Sequence, residues 1–266
     1  DQAGWPPRAP RRGSYHAAMK PLPSLVLAAA IAAPLAAQDN PLLSPFRLDL
    51  AFGGGRLEHR TDGSTFDGKA DAGFFRFTFE GIGDRGIGGG LRLEGIATDD
   101  DLFDDAGFTA TEATASSLFG HVTFRIDEEN FVMPIRAGLL LDGYILEETS
   151  TGDESTWASF GPQFEVAPEL LLLRNDHVGW SAYANVGLGV AATSIDVDTV
   201  DDDFESSSLF YRFELGSRLY VSHVVFGLGF VVRGQEADES DTQGGQFVFG
   251  IENDFTGVLF SVGAIF

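Results

Sequence analysis

The chain has 266 residues, with 17 Lys and Arg against 40 Asp and Glu for a formal charge of −23, 33 glycines, 24 phenylalanines and no cysteine. That charge excludes a nucleic-acid binder, which needs clustered cations for phosphate contacts, and the lack of thiols excludes a disulfide scaffold or a thiolate metal site. A hydrophobic fraction of 44% with 12% aromatics is too apolar for a disordered acidic chain.

From the N-terminus, residues 1–18 are rich in Pro and Arg and read as a spurious extension. Residues 19–37 have the order of an export signal: Met19-Lys20, an apolar run from Leu25 to Ala33, then small residues to Ala37, near which cleavage is placed. A membrane anchor helix is the rival reading. Pro34 interrupts it, and the run is shorter than the roughly 20 residues that span a bilayer. Without residues 1–37 the chain loses Arg8, Arg11, Arg12, Lys20 and Asp1, which leaves 13 basic and 39 acidic groups, with Lys69 as the lone lysine. Residues 38–266 are the domain to be folded, and they hold no apolar run of 18 residues that could cross a membrane as a helix.

What they hold is alternation. Phe75, Phe77 and Phe79 interleave with Arg76, Thr78 and Glu80, and Phe46, Leu48, Leu50 and Phe52 with Arg47, Asp49 and Ala51. A period of two marks strands with two unlike faces. Candidate strands fall at 46–60, 70–80, 87–98, 112–126, 131–146, 156–173, 178–194, 207–221, 224–234, 245–252 and 256–266, several of them long enough to cross a membrane tilted. Short connections such as Gly81 to Gly86 and Ser222-His223 trade places with long acidic ones, among them Asp99 to Asp105 and Asp196 to Glu205. Short turns on one rim and long loops on the other predict an all-β, closed, antiparallel up-and-down transmembrane β-barrel. Eleven candidates conflict with the even strand number of such barrels. Reading 245–266 as one long bulged strand gives ten, with eight and twelve open.

The last strand places Val258, Phe260, Val262, Ala264 and Phe266 on one face and ends on the aromatic. Here the sequence resembles the bacterial outer-membrane β-barrel family, whose members close with such a strand, read by the barrel-insertion machinery as an insertion signal. The resemblance covers roughly residues 42–266 and points to small barrels of the OmpA, OmpX or OmpW kind. It implies the bacterial cell outer membrane as location, with outer-membrane lipid and the insertion machinery as partners. Phe46, Phe79, Phe124, Trp180, Phe226 and Phe266 sit on apolar faces at the short-turn end, where an interfacial aromatic girdle belongs. A soluble sandwich or lipocalin-like barrel would alternate similarly, with these aromatics in its core.

By parity the lumen receives Arg47, Arg76, Arg92, Arg125, Arg136, Arg212 and Arg218 together with Asp49, Glu80, Glu94, Asp142, Glu165 and Glu214. A narrow, nearly neutral interior is expected to be a paired ion network that plugs the barrel, completed by Gln163, Tyr183 and Asn185. The alternative is a small ion or solute channel. The excess acid lies in the loops and reads as a solvated surface, with divalent cations bridging to lipid headgroups as a further reading. His59 with Asp62 or Asp67 is similar in residue type to an omptin-like protease, and His121 to a lipid A deacylase, but neither carries a matching motif. The expectation is therefore a structural or surface-interacting barrel, without catalysis, cofactor or metal. Gly53-Gly54-Gly55 and Gly88-Gly89-Gly90 precede no helix and are assigned to strand bending or tight cross-strand packing.

Overall fold

The computed structural model describes residues 40–61, 67–99, 102–103, 111–148, 151–175, 178–197, 204–240 and 249–266. The segment expected to be an export signal (19–37), Asp62, His177 and much of the acidic loop sequence lie outside the described residues. A single 3-10 turn (Pro41–Leu43) precedes β1 (Phe46–Thr61), β2 (Gly68–Ile82), β3 (Ile87–Thr98), β4 (Thr111–Glu128), β5 (Phe131–Glu148), β6 (Asp153–Val166), β7 (Glu169–Arg174), β8 (Val178–Val197), β9 (Phe204–Val221), β10 (Val224–Ala237) and β11 (Ile251–Ile265). Every pairing is antiparallel, β11 lies between β1 and β10, and β4 joins β5, so the sheet closes on itself.

Eleven segments make ten staves, because β6 and β7 are halves of one. Both pair with β5 on one side and β8 on the other. Between them, Pro168 has no N–H for the ladder. Its carbonyl still accepts from Ala184 N at 3.0 Å while Ala167 N donates to Pro134 O at 2.9 Å, so the stave bends without leaving the wall.

The bulged strand expected over 245–266 takes another form. β11 begins at Ile251 and keeps unbroken register against both neighbours; residues 241–248 lie outside the described ones. No bulge is needed to explain the parity change of the apolar residues, because the polarity of the wall inverts along its height. Toward the short turns, apolar side chains point out: Val122 is 66% exposed, Leu188 58% and Phe260 53%, while Glu165 and Glu214 inside are 0% and 1% exposed. Toward the long loops, Leu57, Phe74, Tyr144, Trp157, Phe204, Ile251 and Phe255 point in and pack together. The inner apolar layer starts within the depth of the outer belt, where Phe74 points in beside outward Phe75, and continues past its upper edge, where the outward residues are charged.

The upper edge of the outer apolar belt is sharp. Followed from the short turns toward the long loops, the first charged outward residue of the successive staves is Arg56, Asp71, Asp99, Glu112, Glu147, Glu154, Asp196, Glu205, Glu236 and Asp254. Below this ring the outward positions are uncharged up to the short-turn rim. An uninterrupted exposed apolar band of this extent belongs in a bilayer, since a water-facing surface does not carry it. At its lower margin Phe46, Phe79, Phe124, Trp180 and Phe226 project outward, 39% to 52% exposed.

Inside, several glycines let strands approach closely. A Cβ added at Gly53, Gly55 or Gly88 would fall 2.2, 2.1 or 1.9 Å from a carbonyl oxygen of the neighbouring strand. Cross-strand packing is thus what the inward glycines of both triplets serve.

Candidate functional site

The interior is filled in three layers. At the short-turn mouth the 3-10 turn tucks Leu42 beneath the barrel against Val132, Leu171, Tyr220, Val225 and Ile265. Asn40 fixes that turn, accepting from Leu42 N at 3.0 Å and donating to Glu129 O at 3.0 Å. Ser44 Oγ lies 2.7 Å from Phe266 O and 3.0 Å from Phe46 O, tying the seam between the first and last strands.

Above this lies the charged layer. Seven arginines (Arg47, Arg76, Arg92, Arg136, Arg212, Arg218, Arg233) meet seven carboxylates (Asp49, Glu80, Glu94, Asp142, Glu165, Glu169, Glu214). Arg76 donates through both terminal nitrogens to Glu214, at 2.5 and 3.1 Å, and Arg212 links Glu214 at 2.8 Å to Glu94. Arg92 grips Glu165 at 2.5 and 2.8 Å, and Arg136 grips Glu80 at 2.7 and 2.9 Å. Tyr183 adds a hydrogen bond to Glu214 at 2.7 Å, Gln163 one to Glu165 at 2.6 Å and Thr123 one to Glu80 at 2.8 Å. Arg233 pairs with Asp142. A second island joins Arg218 and Arg47 to Glu169, which also accepts from Ser181 and Tyr220. Arg218 lies 3.7 Å from the centre of the Tyr183 ring, which connects the islands. Bidentate, cross-lumen pairing of this kind satisfies charges that would otherwise cost several kcal/mol each in low dielectric.

Of the charges assigned to the lumen from sequence, Arg125 stands apart: it binds Asp127 at the rim, at 2.6 and 3.2 Å, and Ser44 O at 3.3 Å. Asp49 reaches Arg47 only at 3.7 Å. Asn185 is buried in the same layer, beside Tyr183, Glu214 and Arg218. Glu169 and Arg233 were missed. Strict alternation from Glu165 and from Val231 would have placed both inside.

Over the charges lie Phe119, Leu140, Ala191 and Phe210, then the large apolar layer around Phe74, Tyr144, Trp157 and Phe255. His59 is enclosed here, Nδ1 2.6 Å from Asn253 Oδ1 and 3.2 Å from the Tyr144 hydroxyl, Nε2 3.2 Å from Thr61 Oγ1, its ring stacked on Tyr144. It lies above the membrane belt, and burial lowers its pKa. His121 packs on Phe119 and faces Glu80 at 3.4 Å. Asp67 is exposed at the long-loop end of β2.

Space remains in separate pieces. A cavity of about 100 Å³ lies among Arg47, Asp49, Arg76, Glu80 and Glu169, and one of about 20 Å³, the scale of a single water, among Arg92, Glu94, Arg212 and Arg233. A more open one of about 730 Å³ is lined by Glu94, Ser117, Asp142, Ser159 and Thr193. The cross-lumen ion pairs plug the charged layer, as expected for a small barrel.

Belt, closed wall and filled interior together define a transmembrane β-barrel of the bacterial outer-membrane type. No family model and no curated protein matches the chain. Among solved structures, the outer membrane protease OmpT from Escherichia coli superposes with a TM-score of 0.52 at 10% identity, over 83% of this chain and 96% of OmpT. The translocator domain of the autotransporter NalP from Neisseria meningitidis gives 0.40 at 8% identity, over 92% and 94%. The Pseudomonas putida toluene transporter TodX gives 0.33 at 9%, over 90% and 93%. The likeness to OmpT is one of fold, and the two lower scores support no comparison of function.

Proposed function

We propose that the chain is a sealed outer-membrane barrel with a structural or surface-interacting role, presenting acidic loops to the exterior. The observation that carries this reading is the stacking of a charge-paired layer beneath an apolar one across the lumen. Conduction needs a continuous wet path, and the cross-lumen ion pairs stand in it. Recordings from the refolded protein in planar bilayers are expected to show a flat baseline. Discrete conductance steps, shifted by Arg136→Ala or Glu165→Ala, would replace this reading with the channel.

The reading includes no catalysis. His121 serves the ion network, and His59 is enclosed by Asn253, Tyr144 and Phe103. Processing near Ala37 belongs to the same proposal and is checked by the N-terminal mass of the exported protein. Placement among small barrels of the OmpA, OmpX or OmpW kind is supported by the filled interior. The proposed partners are outer-membrane lipid and the insertion machinery, the latter reading the Val258 to Phe266 face. Divalent cations are proposed to bridge the acidic strand tops to lipid headgroups. If so, EDTA lowers the temperature at which the folded, fast-migrating gel form is lost from membranes of phosphorylated lipid. An unchanged temperature removes cations from the partners.

A further inference from the structure

The ring above the apolar belt is acidic on nine staves and basic on one, β1. All 13 basic residues of positions 38–266 can be located, because the undescribed loop segments contain no Lys or Arg. Eight point inward, Arg85 and Arg174 lie at the short-turn rim, and the remaining three, Arg56, Arg60 and Lys69, point outward side by side on β1 and β2 at the long-loop end. A domain with a threefold excess of acid has placed every outer cation in one sector.

Two of the three are occupied: Arg60 binds Glu58 at 2.9 Å and Glu252 at 3.1 Å, and Lys69 binds Glu58 at 3.2 Å. Arg56 forms no ion pair among the described residues, although Asp71 is its cross-strand neighbour. The wall just below Arg56 is bare. Gly54 faces Gly73 across β1 and β2, and Gly95 follows one row lower on β3. A Cβ on Gly54 or Gly73 would come no nearer than 3.7 or 4.0 Å to any atom, and on Gly95 it would meet nothing within 4 Å. These glycines are therefore not required by packing, unlike the inward Gly53 and Gly55. They leave a shoulder of naked backbone between Arg56 above and the Phe52–Phe75 pair below, whose ring centres are 5.5 Å apart.

We propose that this shoulder seats the phosphate-bearing headgroup of an outer-leaflet lipid. The acyl chains lie along Phe52 and Phe75, the sugar or glycerol part rests on the exposed backbone, and the phosphate accepts charge-assisted hydrogen bonds from Arg56. The nine acidic strand tops meet a phosphate only through a bridging cation, so Arg56 is the one position of the ring that pairs with it directly. The proposal rests on the membrane placement and not on the sealed lumen, so a conductance result leaves it intact.

The test is native mass spectrometry of the detergent-solubilised barrel with diphosphoryl lipid A, comparing Arg56→Ala, Arg56→Lys and Gly73→Phe with Arg174→Ala as a control at the opposite rim. Gel mobility confirms that each is folded. One lipid is expected to remain bound to the unaltered protein, with affinity reduced about tenfold in Arg56→Ala, in line with one charge-assisted contact. Arg56→Lys should recover part of the loss, Gly73→Phe should show a comparable loss by filling the shoulder, and Arg174→Ala should show none. Equal retention by Arg56→Ala and the unaltered protein would overturn the proposal. So would displacement of the lipid by millimolar inorganic phosphate, which would make this a free-anion site.

Discussion

Replacing Glu214 by Leu is expected to destabilise the barrel by about 3–5 kcal/mol, because it strips two arginines at once of a partner that water cannot replace. Glu214 accepts from Arg76, Arg212 and Tyr183, and its side chain is 2% exposed. After its loss Arg212 still holds Glu94, whereas Arg76 has no other ion pair among the described residues. The cost is thus mainly that of one stranded guanidinium. Adding Arg76→Met to Glu214→Leu removes that charge and should restore most of the stability, since a buried pair replaced by apolar groups of similar volume is near neutral. Urea titration of refolded protein in lipid vesicles, followed by tryptophan fluorescence, measures both steps. Equal losses in the single and double variants would show that the ion network is not what holds the interior.

The second large effect concerns the outside. Val186 lies midway up the outward face of β8 and is 47% exposed. For a barrel surrounded by water, arginine at such a site changes stability by about 0.5 kcal/mol at most. In hydrocarbon it is expected to cost about 2–4 kcal/mol, falling to about 0–1 for Ser194→Arg near the top of the same face. The depth dependence is the diagnostic part. Two flat values would mean that the exposed Phe and Leu rows meet something other than lipid.

Most of the wall was legible in the sequence because a strand with one charged and one apolar face can be read by counting in twos. Phe75-Arg76-Phe77 and Trp180-Ser181 are such places. Two features were not legible. The first is the change of face, visible at the adjacent Phe74 and Phe75, one inside and one outside. Counting in twos reports which parity is apolar, but not which side of the wall meets lipid or water, so the inversion at Ile251 looked like an inserted residue. The second is partnership. Arg76 and Glu214 are 138 positions apart, and which charges meet across the lumen depends on the diameter and stagger of the closed sheet, quantities that alternation does not encode. Parity could therefore place Arg76, Arg212 and Glu214 inside but could not pair them. Arg125 shows the same limit from the other side: its face is inward, but its height at the rim gives it Asp127 instead.

The inversion of polarity has a mechanical consequence. From Arg56 to Thr61, β1 runs six residues past the lipid boundary, and at about 3.3 Å per residue on a tilted strand this lifts the base of the first loop by roughly 15 Å. Its neighbours β2 and β11 pass the boundary by four residues each, from Asp71 to Gly68 and from Asp254 to Ile251. On the inner side of this stretch Leu57 joins the apolar layer and His59 stacks on Tyr144. This side of the wall acts as a pedestal, keeping its shape without help from the bilayer and raising the first loop clear of the headgroups.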